Sequence, residues 1–233
     1  MLEGTLRSGL EEMGLSCTPD QLARFRAYYD LLEEKNRVMN LTAIHGEDES
    51  ARLHFLDCAA PLLRFPMDGA RVIDVGSGAG FPGLPLRILS PEMRLTLLDA
   101  QLKRVGFLRE VCAALGFDDV QCVHARAEET AEMRERFDFA LARAVARLNV
   151  LAELCLPFVK VGGAFLALKG PAVSEELAEA EKAVAQLGAA VEDVFDYSLP
   201  GETLRHNIVV LRKTAPTPKR YPRRFAQIKK SPL

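Results

Sequence analysis

Tryptophan is absent from the 233 residues, and only four histidines and five cysteines occur. The cysteines, Cys17, Cys58, Cys112, Cys122 and Cys155, are odd in number and scattered, with no Cys-x-x-Cys. That pattern argues against a disulfide framework or a zinc site, and for free thiols in a reducing, cytoplasmic setting. The histidines do not cluster in sequence, so no metal is expected. No apolar run reaches the length of a membrane span, and an N-terminus carrying Glu3, Glu11 and Glu12 lacks the basic and apolar blocks of a signal peptide. No membrane partner is expected. No internal repeat or low-complexity segment is present. A net charge of −2 gives no reason, taken alone, to expect a polyanion partner.

What is present is a soluble composition, 48% apolar and 27% charged, in a chain long enough for one domain with a real core. Its charge is unevenly placed. Lys213, Lys219, Arg220, Arg223, Arg224, Lys229 and Lys230 crowd residues 213–233, which hold no acid. Without them the chain carries 23 basic against 32 acidic residues. An acidic body with a basic tail does suggest a polyanion partner.

The most informative stretch is 71–83, Arg-Val-Ile-Asp-Val-Gly-Ser-Gly-Ala-Gly-Phe-Pro-Gly. Val72 to Val75 reads as a buried strand, followed by Gly76, Gly78, Gly80 and Gly83. Leu84, Leu86, Ile88 and Leu89 then recur at helical spacing. Strand, glycine turn and helix open a nucleotide-binding βαβ unit, where side chains would hold a ligand away from backbone N–H groups. The segment from Gly78 to Gly83 also fits the dinucleotide pattern G-x-G-x-x-G, but in the wrong register. The strand ends at Val75, so the tight turn is Gly76-Ser-Gly78 and the third fingerprint position falls on Phe81. Asp74 argues the same way: a carboxylate roughly 5 Å from a pyrophosphate charge costs about 3 kcal/mol at an effective dielectric of about 20. S-adenosylmethionine (SAM) carries a sulfonium and an amino group instead, and the same carboxylate attracts it.

A second apolar run ends on Asp99, 19 residues beyond Gly80, the separation expected of an acid that binds ribose hydroxyls. Asp99 also suits an N-cap for a helix starting near Gln101, and the two roles are compatible. Strands are predicted at 71–75, 94–99, 120–124, 137–143, 163–169, 191–198 and 206–212. Helices are predicted near 82–90, 101–115, 128–135, 148–157 and 173–187. The last two strands are joined through Pro200-Gly201, too short for a crossover, so they pair antiparallel. The expectation is a seven-stranded, mostly parallel sheet with helices on both faces.

Residues 1–64 read as a helical extension, with Thr18-Pro19 as a helix start and a break at Asn40-Leu-Thr42. A further helix begins near Ser50. His54 and Asp57 are three residues apart and share a neighbouring face, which fits either a surface hydrogen bond or a site. Ligands on such sheets bind beyond the strands' carboxyl ends. There Ala127 and Glu128 suit an adenine contact, although Glu128 equally favours a helix start. Arg143 suits the cleft between cofactor and substrate, or a rim salt bridge. Lys169 brings a cation to the same rim.

Taken together, the chain resembles the RsmG (GidB) family of bacterial 16S rRNA guanine-N7 methyltransferases over nearly its whole length. The marks are Asn40-Leu-Thr42, His54-Phe-Leu-Asp57, the loop Asp74 to Gly83, Leu98-Asp99 with Lys103-Arg104 and Phe107-Leu108, Arg126 to Glu129, Arg143-Ala144, Lys169-Gly170 and Tyr221 to Arg224. The resemblance implies a Rossmann-like α/β methyltransferase fold over 65–212, an N-terminal helical extension over 1–64 packed on it, and a basic C-terminal tail over 213–233. It implies SAM as cofactor, held by Asp74, Gly76, Gly78, Phe81, Asp99, Ala100, Gln101, Ala127, Glu128 and Arg143. The implied partner is 16S rRNA or the small ribosomal subunit, and a monomer is expected. Asp57, Lys169, Arg223 and Arg224 are the substrate-side candidates. Two departures stand out: Phe225-Ala-Gln-Ile-Lys replaces a frequent Gly-Thr-Pro turn, and Ala142 stands where relatives often have serine. Guanine N7 has a lone pair and no proton, so in-line attack on the SAM methyl needs no general base. A SAM-dependent methyltransferase of a protein or small molecule is the alternative, and would leave the basic tail unexplained. A non-enzymatic RNA-binding protein is disfavoured by the intact loop and its two acids, and a nicotinamide enzyme by Asp74 and Phe81.

Overall fold

The computed structural model describes residues 1–143, 146–171 and 173–233; Ala144, one of the family marks, lies outside them. Two helices come first, α1 (Leu2–Glu12) and α2 (Pro19–Met39). A reciprocal capping box starts α2: Gln21 N–H donates to Thr18 Oγ1 at 3.2 Å, and Thr18 N–H to Gln21 Oε1 at 2.8 Å. The helix stops at Asn40, whose left-handed φ of 49° closes it. The next helical segment changes pitch along its length: α3 (Glu47–Glu49), a π-helical stretch Ser50–Leu56, α4 (Asp57–Ala59), then a 3-10 turn Ala60–Leu63. It carries both His54 and Asp57.

The remainder alternates β1 (Arg71–Val75), α5 (Gly83–Leu89), β2 (Arg94–Asp99), α6 (Leu102–Leu115), β3 (Gln121–His124), β4 (Phe137–Arg143), α7 (Leu148–Cys155), β5 (Val159–Lys169), α8 (Val173–Gln186), β6 (Ala189–Ser198) and β7 (Arg205–Lys213), and ends in α9 (Phe225–Lys230). The strand order is β3-β2-β1-β4-β5-β7-β6, with β7 antiparallel to both of its neighbours. The expected helix at 128–135 is replaced by two 3-10 turns, Ala127–Glu129 and Ala131–Met133. Glu128, Glu129, Glu132 and Glu135 leave that stretch no apolar stripe to bury, and Thr130 Oγ1 bonds back to Ala127 O at 3.0 Å.

The sheet is buried on both faces. One face packs Val72, Leu97 and Leu166 in a cluster with Leu2, Leu6, Phe25, Tyr28 and Phe55 of the N-terminal helices. The other packs Ile73, Phe165 and Val209 with α7, α8, Tyr221 and Ile228. Residues 1–64 therefore share a core with the sheet, and the C-terminal segment is folded down against its opposite face. No helix among the described residues is long and apolar enough to cross a membrane.

Candidate active site

The loop after β1 is sewn to the end of β2. Gly76 N–H and Ser77 N–H both donate to Leu98 O, at 2.8 and 3.1 Å. Gly80 has a φ of +104°, and a Cβ there would lie 2.6 Å from the Tyr28 hydroxyl, so only glycine fits. Tyr28 in turn donates to Ala79 O at 2.5 Å, which makes α2 a support for the loop. Asp74 is wholly buried beneath it. Its Oδ2 accepts from Gly83 N–H at 2.9 Å, while Oδ1 has no partner among the described residues. Burial lifts its carboxyl to about 8, against the pull of the Gly83 N–H and of Arg143. Asp99 is buried too, accepting from Gly78 N–H at 2.9 Å and from Gln101 N–H at 2.8 Å in the turn that enters α6.

Two cavities open beyond the carboxyl ends of the strands. The first, of about 280 Å³, is lined by Gly76, Asp99, Ala100, Gln101, Ala127 and Glu128, with Leu151, Leu154 and Phe225 as apolar walls. The second, of about 630 Å³, is lined by His54, Asp57, Arg143, Lys169, Tyr197 and His206.

Charge in the second cavity is organised around Arg143. Its guanidinium donates to Leu53 O at 3.0 Å and to Asp57 Oδ2 at 3.1 Å, and lies 3.0 Å from His54 Nδ1. It also sits 4.8 Å over the Phe81 ring, on which His54 stacks at 4.3 Å. Burial, with Arg143 next to it, pushes His54 down to about 3, so the imidazole is neutral. A neutral ring accepts from Arg143 at Nδ1 and donates from Nε2 to Thr42 Oγ1, 2.8 Å away. Thr42 is itself held by the Asn36 side chain, at 2.9 and 3.0 Å. Asp57 Oδ1 accepts from the Tyr197 hydroxyl at 2.7 Å and lies 3.1 Å from His206 Nδ1. Burial would raise the Asp57 carboxyl, but bonds from His206, Arg143 and Tyr197 together hold it below the usual range. The same bond raises His206. Lys169 donates to Ala146 O at 2.6 Å and pairs with Glu176 at 2.7 Å.

Six of the residues expected to hold the cofactor thus line the first cavity. Asp74, Gly78 and Phe81 line neither cavity: Asp74 and Gly78 are bonded within the glycine loop and its supports, and Phe81 lies against Arg143 and His54, whereas Arg143 belongs to the wall of the second cavity. The tail is folded rather than loose. Lys213 is buried at the end of β7, and Arg223 is bound to Glu153, itself fully buried, at 2.6 Å. Arg224 is exposed and makes no ion pair among the described residues. Sequence reasoning did not find Thr42 as a partner of His54, nor Tyr197, His206, Tyr28 and Phe225. Tyr197 and His206 meet only through the β6–β7 register, and their one sequence signal was polarity near the ends of apolar strands.

A family model described as rRNA small subunit methyltransferase G matches residues 21–204. The ribosomal RNA small subunit methyltransferase G of Clostridium botulinum (strain Loch Maree / Type A3) is 42% identical over 232 residues, covering 98% of this chain and 97% of that protein. Its namesake from Pelotomaculum thermopropionicum is 44% identical over 237 residues, covering 100% and 99%. Among solved structures, the mitomycin 7-O-methyltransferase MmcR superposes with a TM-score of 0.58 at 18% identity, over 80% of this chain and 60% of that one. A SAM-dependent methyltransferase from Aquifex aeolicus does so at 0.51 and 18%, over 66% and 89%. The structural likenesses speak for the fold, whereas the family match and the two relatives span the sequence itself. The chain belongs to the rRNA small subunit methyltransferase G family.

Proposed function

We propose that the protein methylates N7 of a guanine in 16S rRNA, holding SAM in the first cavity and the target base in the second. Membership of the family makes it a SAM-dependent rRNA methyltransferase; the target atom, the site residues and the mechanism are the proposal. SAM supplies a methyl group activated by a sulfonium. The residues present fit such a cofactor. Asp74 keeps a buried oxygen with no partner among the described residues, and Asp99 and Gly76 line the first cavity, where a glycine lets the backbone come close to a ligand. Ala100, Gln101, Ala127 and Glu128 complete that wall.

The observation that carries N7 is the state of the second cavity's titratable groups. Asp57 is engaged by three donors, and His54 is neutral between Arg143 and Thr42. Among the described residues no group there is poised to remove a proton, whereas Arg143 and Lys169 supply positive charge. That suits an acceptor with a lone pair, no proton and phosphates nearby. Arg143 and Lys169 position the nucleotide, and the Phe81 ring packs against Arg143 and His54. Exposed Arg224 adds salt-dependent contact to the RNA backbone. Reaching the cavity requires the base to leave its stack.

The test is to incubate the protein with methyl-labelled SAM and either naked 16S rRNA or small subunits lacking the modification, then digest to nucleosides for mass spectrometry. Label in 7-methylguanosine is expected, in whichever RNA form is the substrate. Label in another nucleoside overturns the N7 assignment. No label in either form, with SAM bound, moves the acceptor to a protein or small molecule.

A further inference from the structure

The tail offers something its charge does not announce. Phe225 is half-buried and lines the first cavity with Leu151 and Leu154, packed against the apolar cluster to which both leucines belong. It has little freedom to leave. Two residues before it, Arg223 is bound to the fully buried Glu153 through its backbone N–H at 2.8 Å and its guanidinium at 2.6 Å. Three residues after it, Ile228 is fully buried. The Phe225 N–H itself donates to Glu128 Oε1 at 3.3 Å, so the segment is tied to the turn after β3 that also lines the cavity.

We propose that Phe225 is a cofactor-binding residue: its ring packs on the bound cofactor's heterocycle, and the first cavity is complete only with the C-terminal helix docked. The inference rests on the reading of that cavity as the SAM site. An anchored aromatic residue in a wall that also holds aliphatic side chains and two carboxylates matches a purine nucleoside, which has an apolar face and polar edges. The ring is contributed by a segment whose basic composition points to RNA, so one short helix and the residue that precedes it carry both a wall of the first cavity and, in Arg224, Lys229 and Lys230, exposed positive charge.

SAM binding by calorimetry tests this with the full-length chain and Phe225→Ala, Phe225→Tyr and Phe225→Leu. Hydrogen exchange over residues 221–230 reports whether the segment stays docked without ligand. Base stacking on an aromatic side chain predicts a loss of affinity of roughly five- to hundredfold for Phe225→Ala, with recovery in Phe225→Tyr. Unchanged affinity in Phe225→Ala overturns the proposal. If Phe225→Ala also loses exchange protection, Phe225→Leu decides. Protection restored with affinity still weak supports a ring contact, and protection restored with wild-type affinity overturns it. Failure of the wild-type chain to bind SAM overturns instead the assignment of the cavity, before any variant is compared.

Discussion

Asp74 and His54 are both buried, and burial acts on them in opposite senses. The folded Asp74 carboxyl sits near 8 against about 3.9 unfolded. The folded state therefore keeps a proton that the unfolded chain releases, and stability falls as pH rises from about 4 to about 8. His54 sits near 3 when folded against about 6.5 unfolded. Here the unfolded chain takes up the proton, and stability falls as pH drops below 6.5, by about 2 kcal/mol at pH 5. Between about pH 4 and 6.5 the two slopes oppose each other. Urea unfolding at pH 5, 6.5 and 8 should therefore separate them. Asp74→Asn is expected to gain on the order of 5 kcal/mol over wild type at pH 8 while losing SAM affinity by roughly tenfold or more. His54→Asn is expected to remove the acid-side loss. A wild-type pH profile in Asp74→Asn would mean that the carboxylate is not buried in its charged form at a cost.

At the level of single elements, the two neighbouring tail arginines separate structure from binding. Removing Arg223 strands the Glu153 carboxylate in the core, and Arg223→Ala is expected to cost about 3 kcal/mol, read by chemical unfolding. Arg224 is exposed, so Arg224→Ala should leave stability within about 0.5 kcal/mol. Its effect should appear as a salt slope for RNA binding smaller by about one. Equal effects of the two substitutions on both measurements would contradict the division. Sequence could not draw it, because both residues read as one basic run and the partner of Arg223 lies 70 positions away. The strands were legible for the opposite reason. Each is a short apolar run, and β1, β2, β4 and β5 carry at or near their ends a charged residue that the proposed site uses. The π-helical stretch was not legible: it depends on how residues 50–56 meet α1, and no local propensity marks it. Nor was α1 itself, whose Leu2, Leu6 and Leu10 repeat every fourth residue without a strong start signal. His54 and Asp57 were visible as a pair, but their purpose depends on Arg143, 86 and 89 positions away.

In the whole molecule, the first cavity is built by the sheet and by α6, α7 and the tail, whereas the second, proposed for the acceptor, leans on the N-terminal extension. The first helix is what keeps that extension in place. Leu2, Leu6 and Leu10 are at most 1% exposed, and Gly9 lets α1 approach Leu56 so closely that a Cβ would meet it at 2.3 Å. Polar ties run the same way. Leu2 N–H donates to Glu47 at 2.9 Å, Thr5 to Asp48 at 2.6 Å, and Arg26 joins Glu3 to Glu47 at 2.7 Å each. All of these hold the segment that presents His54 and Asp57 to Arg143. Deleting residues 1–12 removes three buried leucines, worth about 2 kcal/mol each, from a total that for such domains is about 5–15 kcal/mol. The truncated chain is therefore expected to remain folded only at low temperature or with ligand. At 10 °C, SAM affinity should stay within about threefold of wild type, because no residue of α1 lines the first cavity. Methyl transfer to rRNA should fall by more than tenfold, since misplacement of Arg143 and its partners by about 1 Å suffices for such a loss. A parallel loss of SAM affinity and turnover would show instead that the extension and the sheet fail as one cooperative unit. The split outcome would show that one core serves two sites of different local stability.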